Sequence, residues 1–192
     1  MEMLTSDKDI RAVVLNSIAI RAFEDKLSHR VIEEMGICRG VARVDIAVIE
    51  DTIHGYEIKS DRDTLRRLPN QIDLYSKVLD YITLVCGSSH IEKIKSMVPS
   101  WWGLSEAKSL HGVVTIYNIR PPTMNPLIDL SSLLELLWKN ELIDVLKETG
   151  NEKSLSGKNR KYLVDKIILD SNHQQIASLV KNKLYTRKDW RE

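Results

Sequence analysis

VARVDIAVIEDTIHGYEIKS, residues 41–60, is the stretch of sequence that determines the fold expected for this chain. Val41 to Ile49 is rich in Val, Ile and Ala, which is typical of a β-strand. Residues 50–55 form a polar turn, and residues 56–60 have the pattern of a second strand. The segment therefore predicts a β-hairpin.

Three charged residues lie in this hairpin. Residues two apart in a strand share a face, so Glu57 and Lys59 point the same way and Ile58 points to the core. If the connection between the strands holds an odd number of residues, Asp45 lies opposite Lys59 and Ala47 opposite Glu57. All three charged groups then meet on one patch of sheet.

The sequence on both sides of the hairpin predicts alternating helices and strands. Tyr81 to Cys86 is a continuous apolar run, suited to a strand buried on both faces. The fold class is therefore α/β, with a mixed central sheet of four or five strands flanked by helices. A helix is predicted from Asp7 to Met35. A second helix, capped by Asp61 or Asp63, runs to about Leu79, and Pro69 either starts this helix proper or kinks an earlier turn. The other predicted elements are a short helix from His90 to Met97 and a hairpin of Leu104 to Lys108 and Val113 to Ile119.

The C-terminal part of the chain predicts a helical appendage. Arg120 to Pro126 holds three prolines and has the composition of a linker. We therefore divide the chain into a domain of residues 1–120, a linker of residues 121–129 and a helical domain of residues 130–192. Its predicted helices are Leu130 to Leu146, Arg160 to Leu169 and Gln174 to Leu184.

The composition excludes several classes of protein. Of the 192 residues 43% are hydrophobic and 29% charged, which predicts a globular chain with a core of ordinary size. No apolar run is long enough to span a bilayer and no signal-peptide pattern is present, so we expect a cytoplasmic protein with no membrane contact. Cys38 and Cys86 lie in apolar stretches and are interpreted as reduced core residues. The formal net charge of +1 leaves nucleic-acid binding open.

Two carboxylates and an ammonium on one patch suit a specific chemistry. Carboxylate oxygens are the ligands that Mg²⁺ prefers, and Mn²⁺ accepts the same set. A bound cation lowers the pKa of a water molecule and neutralises charge on a phosphate. The patch of Asp45, Glu57 and Lys59 is therefore a candidate metal site that acts on phosphate groups.

The pattern Asp45, Glu57-x-Lys59 resembles the signature of the PD-(D/E)XK nuclease superfamily. Gln71 and Tyr75, four apart on the next predicted helix, resemble an element of its RecB-like branch. The strings GYEIKSDRDTL at residues 55–65 and PSWWG at residues 99–103 resemble an uncharacterised bacterial family assigned to this superfamily. Val44 stands where the superfamily often has a proline before the first acid.

The resemblance implies a restriction-endonuclease-like core and a Mg²⁺-dependent deoxyribonuclease that hydrolyses phosphodiester bonds. Asp45 and Glu57 would bind the metal with the carbonyl of Ile58, and Lys59 would activate water. Gln71 and Tyr75 would support this site. An acidic residue on the first helix would complete the metal shell, with Glu34 as the match and Glu33 and Glu24 as weaker candidates.

DNA is the partner that this activity implies. Arg62, Arg66 and Arg67 either line its path or form a solvated face. The tail around residues 156–164 resembles a SAP-type helix-loop-helix, in which Lys158, Arg160 and Lys161 would contact phosphates. A plain helical hairpin, packed on the core or used for a homodimer, is the alternative for the tail.

Other interpretations of the main residues remain open at this point. Glu57 and Lys59 also fit an ion pair on a solvated sheet face. Trp101 and Trp102 fit either stacking on bases or closing a core. The alternative function is a catalytically inactive protein with the nuclease fold that acts as a nucleic-acid-binding or protein-interaction module.

Overall fold

The computed structural model describes residues 2–26, 28–150, 155–170 and 172–190. Strands and helices are mixed up to residue 120, and the described residues beyond it form helices and no strand. In chain order they are β1 (Glu2–Met3), α1 (Asp7–Asp25), β2 (Arg30–Ile37), β3 (Ala42–Ile49), β4 (Ile53–Lys59), α2 (Leu68–Tyr75), β5 (Tyr81–Gly87), α3 (Ile91–Met97), β6 (Gly103–Leu110), β7 (Val113–Arg120), α4 (Leu130–Leu134), α5 (Lys139–Glu148), α6 (Arg160–Asp170) and α7 (His173–Thr186).

The strands form a single mixed sheet in the order β1-β6-β5-β4-β3-β2, with β7 paired to β6. The β2–β3, β3–β4 and β6–β7 pairs are antiparallel, whereas β4–β5 and β5–β6 are parallel. The parallel pairs need crossovers, and α2 and α3 provide them. The α/β class, with a mixed sheet flanked by helices, is confirmed. The sheet has seven strands, however, and not the four or five that we expected.

The first helix is shorter than predicted. It ends at Asp25, where Lys26 adopts a left-handed conformation with φ 54° and donates its N–H to the carbonyl of Ala22. The following residues form the edge strand β2, which pairs with β3. Apolar spacing within this segment does not reveal that it pairs with the next strand, so the helix was wrongly extended to Met35. As a result Glu34 lies on β2, with a φ of 55°, and not on the first helix.

The register of the central hairpin also differs from the prediction. The turn is only residues 50–52, because Ile53 pairs with Ile49 and begins β4. Ala47 therefore lies opposite Gly55, and not opposite Glu57 as expected. The shift is two residues, which preserves the face of every side chain. The charged residues therefore still share one side of the sheet.

Apolar side chains pack on both faces of this sheet. Ile10, Val14 and Ile18 of α1 pack against one face, with Ile46 and Ile58. On the other face a larger cluster joins the sheet and α2 to the C-terminal helices. It includes Ile49, Leu79 and Leu84 of the first part of the chain and Leu142, Leu163, Val180 and Leu184 of the tail.

Polar contacts fix the tail in place as well. Lys181 on α7 donates to Asp80, just before β5, at 2.9 Å. Arg30 on β2 donates to the carbonyl of Tyr185 at 2.9 Å. The tail thus packs on the sheet, while the division into domains at residues 121–129 remains a prediction. No helix in the described part of the chain is long and apolar enough to cross a membrane.

Candidate functional site

A cavity of about 910 Å³ opens where β3, β4, α1 and α2 meet. The hairpin carries acidic and basic groups to its floor, and the segment before α2 supplies its rim. Residues lining it include Asp45, Glu57, Lys59, Arg66, Arg67 and Gln71. The structure therefore brings the residues predicted from the hairpin pattern into one place.

Glu57 is the most deeply buried charge of this cavity, with 1% of its surface exposed. Lys59 is 4% exposed, and its ammonium forms an ion pair with the Oε1 atom of Glu57. Gln71 donates from Nε2 to the same oxygen at 2.6 Å, and Tyr75 donates to Oε2 at 2.7 Å. A buried carboxylate needs such partners. The interpretation of Glu57 and Lys59 as a pair on a solvated face is therefore wrong.

Asp45 lies beside this buried pair on β3. Its Oδ2 atom accepts a hydrogen bond from the backbone N–H of Ile58 at 2.6 Å. Burial, followed by the negative charge of Glu57, raises the pKa of Asp45 to about 7. A carboxylate whose proton affinity is raised by a neighbouring carboxylate lacks part of its positive compensation. This is the electrostatic situation in which a cation binds favourably.

Arg11 on α1 supplies some of that compensation, and the sequence analysis missed it. Its guanidinium donates to the carbonyl of Asp45 at 3.0 Å, to Glu34 at 2.9 Å and to the Asp45 carboxylate at 3.4 Å. It also pairs with Asp7 one helical turn earlier, at 3.2 Å. The spacing of Asp7 and Arg11 was visible in the sequence, but nothing local indicated that Arg11 reaches β2 and β3.

Gln71 and Tyr75 occupy successive turns of α2 and face β4. Gln71 Nε2 lies 3.0 Å from the Tyr75 hydroxyl, which itself lies 2.5 Å from the carbonyl of Arg43. Gln71 is 9% exposed, yet no residue that the structure describes forms a hydrogen bond with its Oε1 atom. The pair therefore holds Glu57 in position and leaves one acceptor unpaired beside it.

The arginines at the cavity rim are exposed. Arg66 and Arg67 line the cavity, whereas Arg62 does not. These three side chains form no ion pair with another residue that the structure describes. Trp101 and Trp102 are 8% and 0% exposed and lie in the core cluster, so they close the core and are not free to stack on bases.

The basic residues of the tail have different surroundings. Arg160 donates to Glu135 at 3.2 Å and to its carbonyl at 2.9 Å, so it joins α6 to α4. Lys161 pairs with Asp165 at 2.7 Å, and the Lys158 ammonium lies 4.9 Å from the ring of Tyr162. These contacts leave Lys158 and Lys161 at the surface and place Arg160 in a structural contact.

The acid pair fits a divalent cation only in part. Within the described ranges, no group of three or more His, Cys, Asp or Glu side chains is placed to hold a metal ion. Asp45, Glu57 and the carbonyl of Ile58 would supply the oxygen ligands of such a cation, and Mg²⁺ binds through one or two carboxylates when phosphate or water completes its shell. The set therefore suits a cation that is bound together with a phosphate.

Fold and site together define an α/β protein with a buried acid–lysine cluster at the floor of a polar cavity. The sequence profile of the family described as Bacteriophage P4 protein cII matches residues 1–190. The chain belongs to this family. It is similar to protein cII of Enterobacteria phage P4, with 26% identity over 157 residues, which are 81% of this chain and 60% of the relative. No solved structure matches the chain.

These comparisons correct the sequence analysis. The profile and the relative identify a cII family and not a PD-(D/E)XK nuclease family, so the superfamily assignment was wrong. The expected activity, a deoxyribonuclease that hydrolyses phosphodiester bonds, is overturned with it. Short charged patterns such as Asp45 and Glu57-x-Lys59 recur in unrelated proteins, because few residues are needed to make them. The match spans about 60% of the relative's length.

Proposed function

We propose that this protein binds the phosphate backbone of DNA at the cavity around Glu57, together with a divalent cation, and leaves the DNA intact. The observation that carries the proposal is the composition of the cavity. The buried Glu57 and Lys59 and the partly exposed Asp45 form its floor, and Arg66 and Arg67, which form no ion pair with a described residue, lie at its rim.

The rim supports a phosphate ligand. Arginine is favoured in phosphate recognition because its planar guanidinium donates two parallel hydrogen bonds to oxygens. Arg66 and Arg67 are exposed and adjacent in sequence, just before α2 begins. No described acidic side chain neutralises them, so they are available to a ligand at the cavity mouth.

The floor supports a cation that is bound with the phosphate. Asp45, Glu57 and the Ile58 carbonyl would hold Mg²⁺ or Mn²⁺, which would supply positive charge facing the phosphate oxygens. Lys59 stays paired with Glu57 and keeps the floor from carrying two uncompensated charges. Gln71, with its unpaired Oε1 atom, can accept a hydrogen bond from water around the cation.

The finer description of the fold is part of this proposal. A restriction-endonuclease-like core is supported by the mixed sheet, by the antiparallel β3–β4 pair that carries Asp45 and Glu57, and by the parallel β5 beside it. Such a core serves here as a scaffold for binding, since fold alone does not determine activity. At the surface of the tail, Lys158 and Lys161 would add a second contact to the phosphates.

Fluorescence anisotropy with a short fluorescein-labelled duplex tests the proposal. The full chain should bind the duplex in millimolar Mg²⁺, and chelation should weaken binding by about tenfold, or about 1.4 kcal/mol. Asp45→Asn should remove this dependence on Mg²⁺. The Arg66→Gln, Arg67→Gln double variant should lower the salt dependence by about two phosphate contacts. Lys93→Gln, on the exposed side of α3, is the matched control.

Two results would overturn the proposal. The first is an equal affinity for the duplex in wild type and in the double arginine variant. The second is a probe that becomes shorter in the presence of Mg²⁺, because the proposal requires that the DNA is recovered at full length. Gel analysis of the same samples after long incubation measures this directly.

A further inference from the structure

We infer that Arg11 is a counter-ion built into this site and that it competes with the divalent cation for Asp45. This inference rests on the proposed function, because it concerns how tightly the same site holds its cation. It assigns to α1 a role that neither the sequence pattern nor the family match indicates.

Arg11 lies at the centre of a group of acidic side chains. Within 4.0 Å of its guanidinium are Asp7 at 3.2 Å, Glu34 at 2.9 Å, Asp45 at 3.4 Å and Glu33 at 3.6 Å. Its side chain is 18% exposed, so water screens these interactions only in part. One positive charge therefore serves several carboxylates, including the one that would bind the cation.

The contacts of Arg11 with Asp45 are unequal. The hydrogen bond to the backbone carbonyl is 3.0 Å, whereas the contact with carboxylate atom Oδ1 is 3.4 Å, which is long for a hydrogen bond. The carbonyl anchors the guanidinium, and the carboxylate is held loosely. A cation can therefore take Oδ1 without dislodging Arg11, but it must do so next to a fixed positive charge.

An independent observation indicates that a ligand belongs here. The Oε1 atom of Gln71 is buried without a hydrogen-bond partner among the described residues, and the Gln71 residue lines the same cavity as Asp45 and Glu57. An unpaired buried acceptor has a free-energy cost unless a donor reaches it. A water molecule held by a cation on the acid pair would be such a donor.

The positive charge of Arg11 therefore gives the site a low affinity for the free cation. The repulsion from Arg11 opposes a divalent ion at Asp45, while the negative charge of a phosphate offsets that repulsion. The cation therefore binds firmly only when a phosphate is also present. Removing the positive charge of Arg11 should remove this condition.

Titration of the full chain with Mn²⁺, followed by electron paramagnetic resonance of the free ion, tests this inference. Arg11→Gln should lower the Kd for Mn²⁺ by about tenfold in the absence of DNA. Arg11→Lys keeps the charge and should remain within about threefold of the wild type. Arg21→Gln, on the same helix but paired with Glu50 at 3.5 Å, should have no effect. Arg11→Met replaces Arg11→Gln if the latter does not fold, as judged by circular dichroism.

The possible outcomes separate the two proposals. If the wild type binds Mn²⁺ and Asp45→Asn does not, but Arg11→Gln binds with equal or lower affinity, then the counter-ion role is wrong and the cation site stands. If neither the wild type nor Arg11→Gln binds Mn²⁺, either without DNA or with the short duplex added, both proposals are wrong; binding by both proteins only when the duplex is present contradicts the counter-ion role alone. A merely structural role of Arg11 would lower the melting temperature without raising the affinity for Mn²⁺.

Discussion

The hydroxyl of Tyr75, at the end of α2, donates a hydrogen bond of 2.7 Å to Glu57 on β4. Burial, and then the charge of Glu57, raises the pKa of Tyr75 far above its usual value, so the hydroxyl stays protonated. Through this bond a helix holds the central acid of the candidate site.

Tyr75→Phe should therefore destabilise the protein and loosen the site. The loss of one hydrogen bond to a buried charge should cost about 1–3 kcal/mol in the free energy of unfolding, measured in urea. The affinity for Mn²⁺ should fall several-fold, because Glu57 is less well positioned. Tyr117→Phe, on the exposed face of β7, is the control. Equal behaviour of the two variants would contradict the role given to the Tyr75 hydroxyl.

The ion pair of Lys181 and Asp80 gives a second prediction. Asp80 is 6% exposed and accepts hydrogen bonds from Lys181 at 2.9 Å and from the N–H of Ile53 at 2.7 Å. Lys181→Met leaves this carboxylate buried without its cation and should cost about 3 kcal/mol in unfolding free energy. Lys188→Met, at an exposed site after α7, should change it by less than about 0.5 kcal/mol.

Adding Asp80→Asn to Lys181→Met should restore part of the lost stability, since the buried charge is then gone. A double variant less stable than Lys181→Met would show that Asp80 stabilises the protein through its hydrogen bond with the N–H of Ile53 and not through the ion pair with Lys181. Urea titrations of the wild type, Lys181→Met, Asp80→Asn and the double variant provide the comparison.

Arg187 is the basis of a third prediction. It is 8% exposed, lies 4.4 Å and 4.6 Å from the ring centres of Trp138 and Trp190, and bonds Glu141 through Nε at 2.9 Å. Lysine has neither the planar group nor the paired donors, so Arg187→Lys should cost about 2 kcal/mol. Arg39→Lys, whose side chain is 61% exposed and pairs with Glu135, should lose much less stability, because water screens an exposed ion pair. Similar losses of stability in Arg187→Lys and Arg39→Lys would show that the contacts of the buried Arg187 guanidinium contribute no more than an exposed ion pair.

The lowered pKa of the buried His54 should be visible in the pH dependence of the free energy of unfolding. Burial, and then the charge of Arg21, lowers the pKa of His54 to about 3. Below pH of about 6.5 the unfolded chain takes up a proton that the folded protein does not bind until about pH 3. The stability from the neutral ring is therefore complete above about pH 6.5 and is lost as the pH falls from there towards 3.

The urea midpoint of the wild type should thus fall between pH 7 and pH 4 by more than that of His54→Gln. The difference in slope should be about 1 kcal/mol per pH unit at most, because the ring lines a surface cavity. His173→Gln, at the exposed start of α7, is the control and should keep the wild-type slope. Parallel curves for His54→Gln and the wild type would contradict the burial effect.

The central hairpin was predictable because its information is local. Alternation in residues 41–60 fixed two strands, and the period of two fixed that Glu57 and Lys59 share a face. A helix carrying Gln71 and Tyr75 was also predicted, but it spans only Leu68–Tyr75, with Pro69 in its first turn, and is not capped by Asp61 or Asp63. The structure places Glu57, Lys59 and Gln71 at one cavity, with Tyr75 buried next to Glu57, although it does not test their roles.

The missing parts depend on contacts between distant residues. The edge strand β2 was mistaken for helix because its partner β3 follows it through a turn that has no strong signal. Arg11 reaches Asp45 across 34 residues, a contact that α1 makes only after it packs on the sheet. The nuclease assignment failed for another reason: a few charged residues identify a kind of site, but the whole length of the chain identifies a family.

The apolar cluster shared by the sheet and the C-terminal helices has a consequence for how this protein can be divided. Leu142, Leu163 and Val180 fill the same core as Ile49 and Leu79. A chain that ends in the proline-containing segment after β7 would lack these helices and would expose a broad apolar face of the sheet to water. Such a fragment would precipitate before any property of the site could be measured. The C-terminal helices therefore shield the apolar face of the sheet from water, and we expect a protein that lacks them to be insoluble.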